Sequence, residues 1–107
     1  MARSAIHPGE QLAEQLAALD MSAAELGRQL KVPPNRITEI LNGQRAITGD
    51  TALRLGHFFV TGPEYWLNLQ TIHDLRVAER KTGKDIETLP TFHARKKRQV
   101  SQQAATA

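Results

Sequence analysis

The stretch SAAELGRQLKVPPNRITEILNG, Ser22 to Gly43, decides the fold. Ser22 stands three residues before Glu25, the pattern of a capping box. In that pattern the serine hydroxyl accepts the glutamate N–H and the carboxylate reaches back to the serine N–H. A helix therefore starts here, with Leu26 and Leu30 turned inward. Val32-Pro33-Pro34 stops it, because proline cannot continue a helix yet suits the first turn of the next. A further helix runs from about Pro34 to Leu41, burying Ile37, Ile40 and Leu41. Asn42-Gly43 ends it, with Gly43 as a left-handed cap. Two short helices are thus joined by about four residues, Lys31 to Pro34. Gly27 lies in the middle of the first, where glycine costs about 1 kcal/mol unless a close helix–helix approach requires it.

Helices extend on both sides of this pair. Pro8 opens one that runs to about Leu19, with Leu12, Leu16 and Leu19 as its apolar stripe. Thr48 is the expected N-cap of the fourth, with Asp50 favourably placed in its first turn. Ala52, Leu55, Phe58 and Phe59 form its apolar face. Thr61-Gly62-Pro63-Glu64 starts a fifth, from about Pro63 to Arg80, with Tyr65, Trp66, Leu69, Ile72, Leu75 and Val77 on a wide apolar face. Lys81-Thr82-Gly83 is expected to end it, and Ile86, Leu89 and Phe92 to add a short packed element. From Ala94 the composition turns basic, then small and polar, as in a flexible tail. The expectation is one all-α, five-helix domain at 7–81, after an N-terminal extension at 1–6 and before a C-terminal segment at 82–107.

Composition bounds the function. The 107 residues are enough for one core, and 40% of them are hydrophobic. The absence of cysteine removes disulfides, thiolate metal sites and cysteine nucleophiles, and fits a cytoplasmic location. No apolar run approaches the ~18 residues of a membrane span, and Met1 to Glu10 lacks the apolar stretch of a signal peptide. His7, His57, His73 and His93 are too scattered for metal-ligand spacing. There is no glycine-rich phosphate loop and no Ser/His/Asp constellation, so neither an enzyme nor a cofactor or metal is expected. The net charge of +3 belongs to the end of the chain. Arg95, Lys96, Lys97 and Arg98 lie there without an acid, and residues 1–87 carry −1. That basic run could add nonspecific phosphate affinity, bind an acidic partner or solvate a terminus.

Two short helices with a tight turn are the helix-turn-helix arrangement, whose second helix enters the DNA major groove. The outward residues Asn35, Arg36, Thr38 and Glu39 suit base edges. Arginine holds guanine and asparagine holds adenine in bidentate fashion; threonine can touch a thymine methyl. Glu39 could accept from cytosine or orient a neighbouring cation. Tyr65 and Trp66 are read two ways, as core or as interface anchors. Helix five is apolar around much of its circumference, so a dimer seam through Tyr65, Trp66, Leu69, Ile86, Leu89 and Phe92 is the natural outlet.

The run from Ala24 to Val32, with Arg36-Ile37-Thr38-Glu39-Ile40-Leu41-Asn42-Gly43-Gln44-Arg45, resembles the Xre/Cro, lambda-repressor-like helix-turn-helix family. His7-Pro8-Gly9-Glu10, Arg45-Ala46-Ile47-Thr48, Asp50 to Leu55 and Pro63 to Gln70 narrow the resemblance to HigA-type antitoxins. The resemblance implies a dimer that binds the operator of its own operon. It also implies a toxin partner of the HigB/RelE-like class, a small ribosome-dependent mRNA endonuclease. Ser22, Arg28, Gln29, Asn42, Gln44 and Arg45 are the expected phosphate contacts, which give register rather than sequence choice. Two positions depart from the family pattern. The usual turn glycine is Lys31, and the glutamine often found at the start of helix two is Ala24, which removes one expected phosphate contact. A plain Xre-type regulator without a toxin, and a protein-interaction module that has lost DNA binding, stay open beside the antitoxin reading.

Overall fold

Five helices follow one another: α1 (Pro8–Leu19), α2 (Ala23–Leu30), α3 (Pro34–Leu41), α4 (Gly49–Phe58) and α5 (Pro63–Glu87). The computed structural model describes residues 5–92, and among these there is no strand. The basic run Arg95 to Arg98 and the expected flexible tail lie outside the described residues. Helix α3 packs on α1 and α2, α4 packs on α2 and α5, and α1 closes the bundle against α5. Leu12, Leu26, Ile37, Ile40, Leu55 and Trp66 are fully buried where these helices meet.

Local chemistry sets each boundary. Ser22 Oγ accepts the Glu25 N–H at 3.1 Å, which starts α2. Only half of the capping box forms, because the Glu25 carboxylate turns to Arg28 and Gln29 instead. Gly43 takes φ 74° just beyond α3, as its place in the sequence suggests. Three residues with side chains also hold positive φ: Asp20, Lys31 and Val60, each within a link between helices. A Cβ on Gly27 would stand 3.1 Å from the Val32 carbonyl oxygen, so the glycine permits the tight α2–α3 approach. A Cβ on Gly9 would lie 2.0 Å from the Ile40 carbonyl oxygen, so α1 starts directly on the end of α3.

The structure corrects four expectations. Helix α5 does not stop near Gly83 but continues to Glu87. Gly83 lies on a stretch where its neighbours are exposed, so no packing demand breaks the helix there. Ile86 therefore belongs to α5, while Leu89 and Phe92 follow it, and all three are exposed rather than part of a packed element. Trp66 is wholly buried and cannot face a partner; its ring meets Phe59 and Tyr65, and its Nε1 donates to Thr61 Oγ1 at 3.0 Å. Leu69 is half-buried against the core. Leu19 is exposed, because it is the last residue of α1 and Met21 packs on the core in its place.

His7 caps α1 with its side chain. Its Nδ1 accepts the Gly9 N–H at 2.9 Å, and its ring meets His73 of α5 edge-on at 4.8 Å. An acceptor nitrogen must be unprotonated. Burial first, then the His73 ring, hold the His7 pKa below its ordinary 6.5, against the weaker pull of Asp74 and Glu10. Between the two values the unfolded chain binds more protons than the folded one. The stabilisation is therefore complete above about pH 6.5 and is lost as pH falls through 6.5 towards the lower folded-state value. Thermal melts taken down from about pH 7.5 should fall in this window. His7→Asn, a good cap that does not titrate, should flatten that part of the profile.

Candidate nucleic-acid interface

Helix α3 is an eight-residue element with opposed faces. Ile37 and Ile40 point into the core, and Asn35 and Thr38 are exposed. Pro34 occupies the first turn, where a missing N–H does no harm. The Thr38 hydroxyl donates to the Pro34 carbonyl at 3.2 Å. The two charged residues of the helix, Arg36 and Glu39, are half-buried and tied sideways to other elements.

Three carboxylates organise the charge around α3. Arg36 Nη1 donates to Asp50 Oδ2 at 2.9 Å, and the same oxygen accepts from Arg54 Nε at 3.0 Å. Arg54 is anchored in turn, its Nη1 donating to the Leu30 carbonyl at 2.8 Å. Arg45 Nε donates to Glu39 Oε1 at 2.7 Å, so Glu39 orients a neighbouring cation. Glu25 receives Arg28 and, at 2.7 Å, the Gln29 amide. Hydrogen bonds from Gln29 and then Arg28 hold the Glu25 pKa below the usual carboxylate value. Those from Arg54, and then Arg36, do the same for Asp50. Both carboxylates stay charged near neutral pH.

The expected contact residues thus fall into groups. Arg36 joins α3 to α4, and Glu39 with Arg45 joins α3 to the following loop, where Asn42 and Gln44 are exposed. Ser22 caps α2, and Arg28 and Gln29 lie on it around Glu25. Asp50 and Arg54 were missing from the expected site. Their spacing of four on α4 was a legible signal. Arg36 is fourteen residues from Asp50, and no local pattern joins them. Among the described residues no group of three His, Asp or Glu could hold a metal ion.

A family model described as helix-turn-helix matches residues 12–66, the span from the first core leucine of α1 to Trp66. The chain belongs to this family. It is 51% identical over 77 residues to virulence-associated protein I of Dichelobacter nodosus, covering 71% of each chain. It is similar in structure to an addiction module antidote protein of the HigA family from Coxiella burnetii. That match has a TM-score of 0.82 at 55% identity and covers 85% of this chain and 100% of the other. A Pseudomonas aeruginosa antitoxin HigA, solved with the higBA promoter, matches with a TM-score of 0.80 at 38% identity, covering 84% of this chain and 100% of that one.

In this helix-turn-helix protein Lys31, where the resemblance implies a glycine, holds the left-handed turn position. Lys31 adopts φ 60° and ψ 47°, the left-handed conformation that glycine tolerates and a Cβ opposes. Its N–H still closes the end of α2 on the Arg28 carbonyl at 3.2 Å. The strain is absorbed at an exposed position, with Val32 and Leu30 buried on either side. Lys31→Gly should therefore stabilise the fold by about 1 kcal/mol. Urea unfolding should show this as a raised midpoint with an unchanged slope.

Proposed function

We propose that this chain is the antitoxin of a type II toxin–antitoxin pair. It binds the operator of its own operon as a homodimer and silences a HigB/RelE-like mRNA endonuclease. The single observation that carries the reading is the match over most of the chain to HigA with the higBA promoter. In this reading α3 enters the major groove, where Asn35, Arg36, Thr38 and Glu39 address base edges. Ser22, Arg28, Gln29, Asn42, Gln44 and Arg45 contact phosphates. The protein works in the cytoplasm beside its operon. No described helix is long and apolar enough to cross a membrane.

The apolar surface of α5 supports the dimer. Ile72, Leu75 and Ile86 are exposed along it, and Leu89 and Phe92 are exposed just after it. An apolar row of this kind marks an interaction face. A two-fold pair also matches the symmetry of a palindromic operator. Tyr65, partly exposed and edge-on to Trp66, lies at the near end of the same helix.

Two measurements test the proposal. The purified chain should retard the DNA immediately upstream of its own operon. The adjacent small reading frame should arrest growth when induced alone and be harmless when induced with this chain. A harmless neighbour with DNA binding intact would leave a plain regulator, and no DNA binding would leave an interaction module. For the dimer, sedimentation should give twice the 11.9 kDa chain mass. Leu75→Lys with Ile86→Lys should shift it to the monomer, with the helical signal falling by no more than the far half of α5 contributes.

A further inference from the structure

Asp50 is where α2, α3 and α4 are joined by charge. One oxygen, Oδ2, accepts from Arg36 on α3 and from Arg54 on its own helix. Arg54 is itself fixed to the carbonyl of Leu30, the last residue of α2. The carboxylate is therefore held from a second side as well as by Arg36. Its place in the first turn of α4 also favours its charge. We infer that Asp50 is a positioning residue for sequence choice, fixing the Arg36 guanidinium in one orientation before DNA arrives and so setting which base Arg36 accepts. This rests on the proposed DNA-binding reading.

The geometry leaves Arg36 able to read. A guanidinium carries five N–H donors, and one Nη1 donor is committed to Asp50. Among the described residues Arg36 makes no other side-chain hydrogen bond, so two parallel donors are left for a bidentate hold on a guanine. An arginine on a free stem must lose rotamer freedom to make that contact, whereas this one is already oriented. The same carboxylate is a negative charge beside a phosphate-binding face, and it opposes binding to any duplex. Asp50 therefore exchanges affinity for discrimination, and that exchange separates positioning from mere support of the fold. A supporting residue, once removed, would weaken specific and nonspecific binding alike.

The test is selection from a library of randomised duplexes at one salt concentration, using the full chain and its Asp50→Asn variant. The wild type should recover a motif. Asp50→Asn should bind unselected duplex more tightly, with a salt slope steeper by about one phosphate contact. It should lose about tenfold discrimination at one base pair of each half-site. In an Arg36→Ala background, Asp50→Asn should change no base preference. If Asp50→Asn recovers the wild-type motif at wild-type discrimination, or alters it equally without Arg36, the inference is overturned. A wild type that recovers no motif overturns the DNA-binding reading and this inference with it. Should Asp50→Asn lose its helical signal, Arg54→Lys decides. Weaker discrimination at that base pair sustains the inference, and an unchanged motif overturns it.

Discussion

Eight residues of helix are too few to persist in water, so α3 exists only because its inner face is buried. Ile37 and Ile40 are removed completely from solvent, and burial of one such side chain is worth about 1.5–3 kcal/mol. That burial requires neighbours at very short range. Two glycines supply it, Gly9 where α1 begins on the Ile40 carbonyl and Gly27 where α2 passes the Val32–Pro34 backbone. His7 completes the junction, capping α1 while its ring lies beside Gly43 at the end of α3. The loop beyond is pinned from the other side, where the Ile47 N–H donates to the buried Gln70 side chain at 2.8 Å. The polar face of α3 is thus presented by a core that clamps both of its ends.

Charge around that face serves orientation more than stability. Arg28, Arg36, Arg45 and Arg54 each meet one of Glu25, Glu39 and Asp50. These pairs are largely exposed, and exposed pairs contribute little to folding. Their effect is to hold long side chains in defined places and to moderate a face that would otherwise be strongly positive. A cation count along the chain misses this, because Asp50 lies outside the span where Arg28, Lys31, Arg36 and Arg45 stand against Glu39 alone.

The first four helices were legible because their ends carry chemistry. Ser22, Pro33-Pro34 and Asn42-Gly43 each break or start a helix by a local mechanism, and the structure follows them. Lys31 was legible only through the family resemblance, as a side chain where that pattern carries glycine, and it takes the positive φ this implies. The end of α5 was not legible, because Gly83 is a stop signal only where a helix has a reason to stop. Trp66 shows the limit of periodicity, which places it on an apolar face without saying whether the core or a partner covers that face. The Asp50–Arg36 contact was out of reach altogether, since it follows from how α3 and α4 are each set against α2 and from no spacing along the chain.

The far half of α5 differs physically from the rest. From Ala78 to Glu87 every residue but Gly83 is exposed, so tertiary burial gives this half almost nothing. It is held by helix-favouring residues such as Ala78, Glu79, Arg80 and Lys81. Such a segment is marginal alone, and a second chain laid along Ile72, Leu75 and Ile86 would supply the burial it lacks. The near half of the same helix packs on α4, which carries Asp50 and Arg54. In the proposed dimer, the helix that would join two copies is therefore continuous with the support of the residue that orients Arg36. Spacing between half-sites and sequence choice within each would then be coupled through α5 and its packing on α4.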